Sequence, residues 1–120
     1  MIRNFIWVAL GGACGSVLRY ALTLLSGFLR IPSEYAILSA NISGSFLIGL
    51  LLSLARGELY LFAAIGFCGG FTTFSTFSSQ TLALLQSGQK MSALFYIFSS
   101  VALSLLAVYL GLLLGDKWLK

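Results

Sequence analysis

The stretch "GFCGGFTTFSTFSSQ", residues 66–80, sets two adjacent glycines and a crowd of Ser and Thr inside an apolar segment. A helix facing only lipid has no use for these residues, because hydroxyls and freed backbone groups need partners that hydrocarbon does not supply. Gly69 and Gly70, followed by Thr72, Thr73, Ser75 and Thr76, weaken a helix, so a break is expected near the middle of this segment. Broken helices at membrane depth occur only where they are buried in protein or line a wet cavity, and their exposed carbonyls can hold a cation. On a continuous helix Phe67, Phe71, Phe74 and Phe77 step by four, three and three residues, which places them on one side. Such a stripe is ordinarily packing. A ring edge is electropositive, however, and edges aimed into a narrow path would stabilise an anion without a formal charge.

The rest of the chain supplies the setting. Of its 120 residues 59% are hydrophobic and 8% charged, against about 25% charged in an ordinary soluble domain. Apolar runs cover about 5–28, 35–55, 59–85 and 91–115, each near the roughly 20 residues that a spanning helix needs. They are too long and uninterrupted for barrel strands of about ten alternating residues. The expectation is an all-α membrane protein, a single domain over residues 1–120 with four transmembrane helices, the third broken near its middle. Its loops are "RIPSE", "RGE" and "SGQK", with no room for a soluble catalytic domain. The start, "MIRNFIWVAL", imitates a signal peptide and "GGAC" a lipoprotein cleavage site. The apolar run continues past Cys14 and Gly11 stands where such a site wants a branched aliphatic residue, so an uncleaved first helix is expected. Cys14 and Cys68 fall within spans without a CxxC or Cys/His cluster, and packing is their expected role.

Each span carries its own polar residues. In the first, Gly11 and Gly15 are four apart, as are Gly12 and Ser16, a spacing that lets helix backbones approach closely, within one subunit or between two. Arg19 continues the Gly11–Gly15 face. An intramembrane arginine is costly and usually paired or facing water, yet the three acidic residues, Glu34, Glu58 and Asp116, all lie in loops or tails. Arg19 therefore either binds backbone carbonyls or snorkels in a structural role, or faces an ion. In the second span Asn41 offers two donors and an acceptor deep in an apolar run, with Ser45 one turn on. It either bonds to a neighbouring helix or lines a polar path. In the fourth span Tyr96, Ser100 and Ser104 are spaced by four, one hydroxyl per turn along one face. They either bond back to helix carbonyls or form a polar track.

Absences narrow the function. No span holds Asp, Glu, Lys or His, so the titratable group of a proton-coupled transporter is missing. No nucleophile and base are paired, which argues against an enzyme. The net charge of +4 is scattered singly, which argues against nucleic acid as a partner. The remaining inventory is an amide, hydroxyls, ring edges and one arginine, all donors without negative charge, which suits passive conduction of an anion. With four spans, Arg3, Arg56, Lys117 and Lys120 share one side and Arg30 and Lys90 the other. This imbalance sets a weak bias with termini in the cytoplasm, or else lets the chain insert both ways.

"GGFTTFSTFS", residues 69–78, closely resembles the signature of the Fluc fluoride channels, also called the CrcB family. "GGACGSVLRY" in the first span and "NISGSFLIG" in the second are also similar to that family's segments, and the likeness covers essentially the whole chain. Fluoride itself enters only through this resemblance. The resemblance implies a dual-topology homodimer of antiparallel subunits in the inner (plasma) membrane, embedded in lipid, with two fluoride pores that expel the ion passively. It implies that Asn41, Phe74, Phe77 and Thr76 line the fluoride pathway with the track of Tyr96, Ser100 and Ser104. It also implies a structural sodium ion (Na+) at the dimer centre on the backbone carbonyls of Gly69 and Thr72, and it matches Arg19 to the family's first-helix arginine. Phe71 stands where the family often has an aliphatic residue, a difference expected to touch packing more than conduction. Two other readings compete: a small dimeric multidrug exporter, whose first-helix glutamate is missing here, and a non-transporting membrane assembly protein whose small and hydroxyl residues serve only packing.

Overall fold

A computed structural model describes residues 1–120, and every regular element in it is helical. Helix α1 runs Ile2–Phe28, α2 runs Ser33–Leu54, α3 covers residues 57–71, α4 runs Phe74–Gln86 and α5 runs Lys90–Trp118. Four helices are long and apolar enough to cross a membrane, α3 and α4 together forming the third span, Gly57–Gln86. The 27 residues of α1 reach about 40 Å at 1.5 Å per residue, more than the roughly 30 Å of a hydrocarbon core. Only 22 of 120 residues are buried, so most of the apolar surface is left for lipid or for another protein chain.

The short loops are closed by backbone hydrogen bonds. At the end of α1 the Ile31 N–H donates to the Ser26 carbonyl (2.8 Å) and the Arg30 N–H to that of Gly27 (3.1 Å). At the end of α4 the Gln89 N–H donates to Leu84 (2.9 Å) and the Gly88 N–H to Leu85 (3.2 Å). Both are Schellman closures, which need a left-handed residue just past the helix. Gly88 takes that conformation freely at φ 81°, whereas Arg30 takes it at φ 58° against the cost of its Cβ.

Two glycine seams set the packing. Helix α1 lies along α3, and α2 along α5. A Cβ on Gly11 or Gly15 would overlap the backbone of Phe62 or Phe67, and one on Gly70 the carbonyl of Gly12. The small-residue spacing of the first span is thus used inside the subunit, against the third span. Between α2 and α5, Gly49 faces the Val108 carbonyl and Gly111 that of Phe46 in the same way.

The third span departs from a simple helix twice. Tyr60–Cys68 forms a π-helix of nine residues, far longer than the single-turn π-bulges usually seen near functional sites. The break itself falls at Thr72 (φ −82°, ψ 156°) and Thr73 (φ −152°, ψ 127°), both extended. Gly69 and Gly70 remain helical, and Gly70 serves close packing rather than the bend. The break also divides the phenylalanine stripe that a continuous helix would present. Phe67 stacks on Phe71 with centroids 5.5 Å apart, and Phe74 pairs with Phe77 at 5.6 Å. Phe71 and Phe77 are buried, at 6% and 9% exposed, whereas Phe74 is 79% exposed.

Candidate functional site

The break is held by side chains that replace the missing helical hydrogen bonds. Asn41 on α2 grips Thr73 at both backbone positions: its Nδ2 donates to the Thr73 carbonyl (3.1 Å) and its Oδ1 accepts from the Thr73 N–H (2.7 Å). The Thr73 hydroxyl accepts from the Thr76 N–H (3.3 Å) and so caps α4. Thr72 folds back, its N–H and Oγ1 both donating to the Cys68 carbonyl, at 2.9 and 2.7 Å. From α1 the Arg19 Nε donates to the Gly70 carbonyl (3.0 Å). Asn41 thus bonds to a neighbouring helix and still keeps one Nδ2 hydrogen, while Arg19 pairs with a carbonyl and no carboxylate.

Above these clamps lies a cavity of about 610 Å³. It brings together Asn41, Gly69, Thr72, Phe74, Phe77, Ser100 and Ser104 among the residues expected from sequence, with Ser45 beside them. The Ser100 hydroxyl is buried without any hydrogen-bond partner. Several other span hydroxyls bond back to a helix carbonyl; Thr81, for example, donates to Phe77 at 2.8 Å. An unpaired buried hydroxyl costs about 1–3 kcal/mol, so its place on the wall of a mostly apolar cavity that also holds Asn41 calls for a reason beyond packing. Thr76 and Arg19 do not line this cavity: Thr76 belongs to the Thr73 cap cluster, where its Oγ1 accepts from the Thr73 hydroxyl at 3.3 Å.

Tyr96 lines a second cavity of about 470 Å³ with Glu34, Tyr35 and Gln89. The rings of Phe77 and Tyr96 meet edge-on at 5.1 Å, and since each lines one cavity, the pair forms the partition between them. Ile37 completes this buried cluster. The Tyr96 hydroxyl donates to Gln80 Oε1 (2.6 Å), and Gln80 Nε2 donates to the Ser33 hydroxyl (3.1 Å). Sequence reasoning passed over Gln80, although it ends the deciding stretch and lies four residues beyond Thr76. The signal that singles out Asn41, a primary amide inside an apolar span, applied to it equally.

A cation at Gly69 and Thr72 would have to be held by backbone oxygens, since the chain contains no cluster of His, Cys, Asp and Glu suited to a metal. The carbonyls fit that requirement. In a continuous helix Gly69 would accept from the Thr73 N–H and Thr72 from the Thr76 N–H. Those donors are diverted to Asn41 Oδ1 and to the Thr73 hydroxyl. Gly69 also has open space where a side chain would stand.

The sequence profile described as "CrcB-like protein, Camphor Resistance (CrcB)" matches residues 6–112. A protein of Thermus thermophilus named "Fluoride-specific ion channel FluC" is 48% identical over 120 residues, covering 95% of this chain and 96% of the relative. Proteins of the same name from Paracoccus denitrificans and Flavobacterium psychrophilum are 44% and 40% identical. They cover 96% and 97% of this chain, and 96% and 99% of their own lengths.

Proposed function

The chain belongs to the CrcB family, a family of ion channels and not of enzymes, and on that premise we propose that it conducts fluoride. Its relatives carry that specificity in their names. The observation that carries the reading to this chain is the unpartnered Ser100 hydroxyl on the wall of the cavity shared with Asn41, Phe74 and Phe77.

Fluoride is small and strongly hydrated, so a dehydrated path must offer close donors at nearly every step. Asn41 has a spare Nδ2 hydrogen, Ser100 a spare hydroxyl, and Ser104 stands one turn beyond. The rings of Phe74 and Phe77 add electropositive edges. The ion then meets the Phe77–Tyr96 partition, where the Tyr96 hydroxyl can turn from Gln80 to the anion. Thr76 takes part only if the Thr73 cap cluster opens. The first cavity is lined by no charged side chain, so nothing there couples movement to another ion, while Glu34 lines the second cavity. The membrane potential, worth about 2.3 kcal/mol per charge per 100 mV, drives the anion outward and relieves fluoride toxicity.

The finer reading is an antiparallel, dual-topology homodimer in the inner (plasma) membrane with two pores. The 79% exposure of Phe74 beside the cavity supports it, because a ring that lines a dry path needs a second wall. The small charge difference, with Arg3, Arg56, Lys117 and Lys120 on one side and Arg30 and Lys90 on the other, is compatible with insertion in both orientations. Gly69 and Thr72 of each subunit would hold a structural Na+ at the dimer centre, where it neutralises the freed carbonyls and does not permeate.

Protein reconstituted in liposomes loaded with fluoride tests the channel reading. Addition of a potassium ionophore should release fluoride with little chloride; comparable chloride release would remove the selectivity.

A further inference from the structure

The break frees the last four carbonyls of its helix, those of Gly69, Gly70, Phe71 and Thr72, and three of them have fates that differ. Gly69 and Thr72 lose their helical donors to Asn41 and to the Thr73 hydroxyl. Gly70, between them, is taken by the Arg19 Nε at 3.0 Å. Arg19 has no ion-pair partner: the salt bridge of the chain joins Arg3 to Glu58, at 2.9 Å. Its guanidinium is therefore a fixed positive charge whose recorded bond is to one backbone oxygen. Gly70 is also pinned from the other side, since a Cβ there would strike the Gly12 carbonyl and the Ser16 hydroxyl.

We infer that Arg19 is a positioning residue that withdraws the Gly70 carbonyl from the cation and so keeps it from joining Gly69 and Thr72 in each subunit's offer. The inference rests on the reading of Gly69 and Thr72 as sodium ligands. Ion choice by backbone oxygens depends on the number and field strength of the carbonyls presented. A third oxygen per subunit would change both, and Arg19 prevents it in two ways. It occupies one of the two lone pairs of the Gly70 oxygen, and it places a positive charge where that oxygen would otherwise attract the ion. This role also explains why an arginine is retained in a span that offers it no carboxylate. A lysine there would keep the charge but lose the planar Nε–H that reaches the carbonyl.

The test follows three carbonyls separately. Protein carrying 13C at the carbonyl carbons of Gly69, Gly70 and Thr72 is purified in sodium and in choline salts, and its solid-state NMR shifts are compared. The shifts of Gly69 and Thr72 should move between the two salts while that of Gly70 stays. In Arg19→Met, which removes both the charge and the Nε–H, Gly70 should begin to respond to sodium. If Gly70 responds in the unmodified chain, or stays silent in Arg19→Met while the other two respond, Arg19 has no positioning role and the sodium reading survives. Silence at all three carbonyls removes the sodium reading and this inference with it. Should Arg19→Met fail to fold, Arg19→Lys, which loses the Nε–H alone, is read in the same way. A merely structural arginine would lower thermal stability by the same amount in both salts and leave the ion response of Gly70 unchanged.

Discussion

Asn41 and Ser100 separate two jobs that polar groups do in a membrane. Asn41 satisfies the Thr73 N–H and carbonyl together, so Asn41→Ala leaves two backbone groups unpaired and should cost about 2–4 kcal/mol, read as a lower melting temperature in detergent. Asn41→Asp keeps the acceptor for the Thr73 N–H but sets an oxygen against the Thr73 carbonyl and a negative charge beside the path. Fluoride efflux from liposomes should collapse; undiminished flux would mean that Asn41 only packs. Ser100→Ala removes a hydroxyl with nothing to lose. It should melt no earlier than the parent yet pass fluoride about tenfold more slowly, the loss of one hydrogen bond to an ion; unchanged flux would return Ser100 to packing. Both residues were legible from sequence because an amide or a hydroxyl inside an apolar run is costly wherever it sits. Their assignments were not legible. Whether Asn41 bonds to a helix or faces a path depends on the Thr73 backbone, 32 positions away. Gln80 carries the same signal as Asn41, but its part in the site depends on Tyr96 and Ser33, which stand on other helices.

At the scale of the helices, the four spans and their short loops followed from hydropathy, and the ends found in the structure lie within a few residues of those read from the runs. The interior of the third span did not follow in the same way. Glycine content pointed to Gly69 and Gly70 as the weak point, but the backbone yields at Thr72 and Thr73. There Asn41 and the Thr73 hydroxyl supply the bonds that a break requires, whereas Gly70 is needed against α1. The π-helix of Tyr60–Cys68 leaves no mark on the hydrophobic pattern, because a wider turn in lipid changes no side chain's polarity. The α1–α3 seam makes a sharp contrast among glycines. A Cβ at Gly15 would run into the backbone of Phe67 and Phe71, while one at Gly12 would meet only ordinary contact at 3.8 Å. Gly15→Ala should therefore cost about 1–3 kcal/mol or more and broaden the size-exclusion peak. Gly12→Ala should migrate and melt like the parent. Equal behaviour of the two variants would mean that the helices are not in backbone contact.

For the whole molecule, the charge distribution sets a prediction about orientation. One side carries Arg3, Arg56, Lys117 and Lys120 and the other Arg30 and Lys90. The double variant Arg30→Gly, Lys90→Gln strips the second side and should fix the termini in the cytoplasm. Arg30→Gly also relieves a left-handed arginine, a gain of up to about 1 kcal/mol, so folding should not suffer. Cells expressing this variant alone should lose fluoride resistance. Co-expression with a variant biased the opposite way should restore it; full resistance from the single-orientation variant would exclude antiparallel pairing. The number of chains and their relative direction lie beyond what a single hydropathy pattern encodes, because lipid and a partner helix demand the same apolar surface. The glycine seams carry a last consequence. With main chains meshed along α1–α3 and again along α2–α5, any shift of one helix away from its partner forfeits a run of backbone contacts. A scaffold joined in this way favours a single arrangement over a cycle of alternately opened chambers, which suits a passive conduit better than a pump.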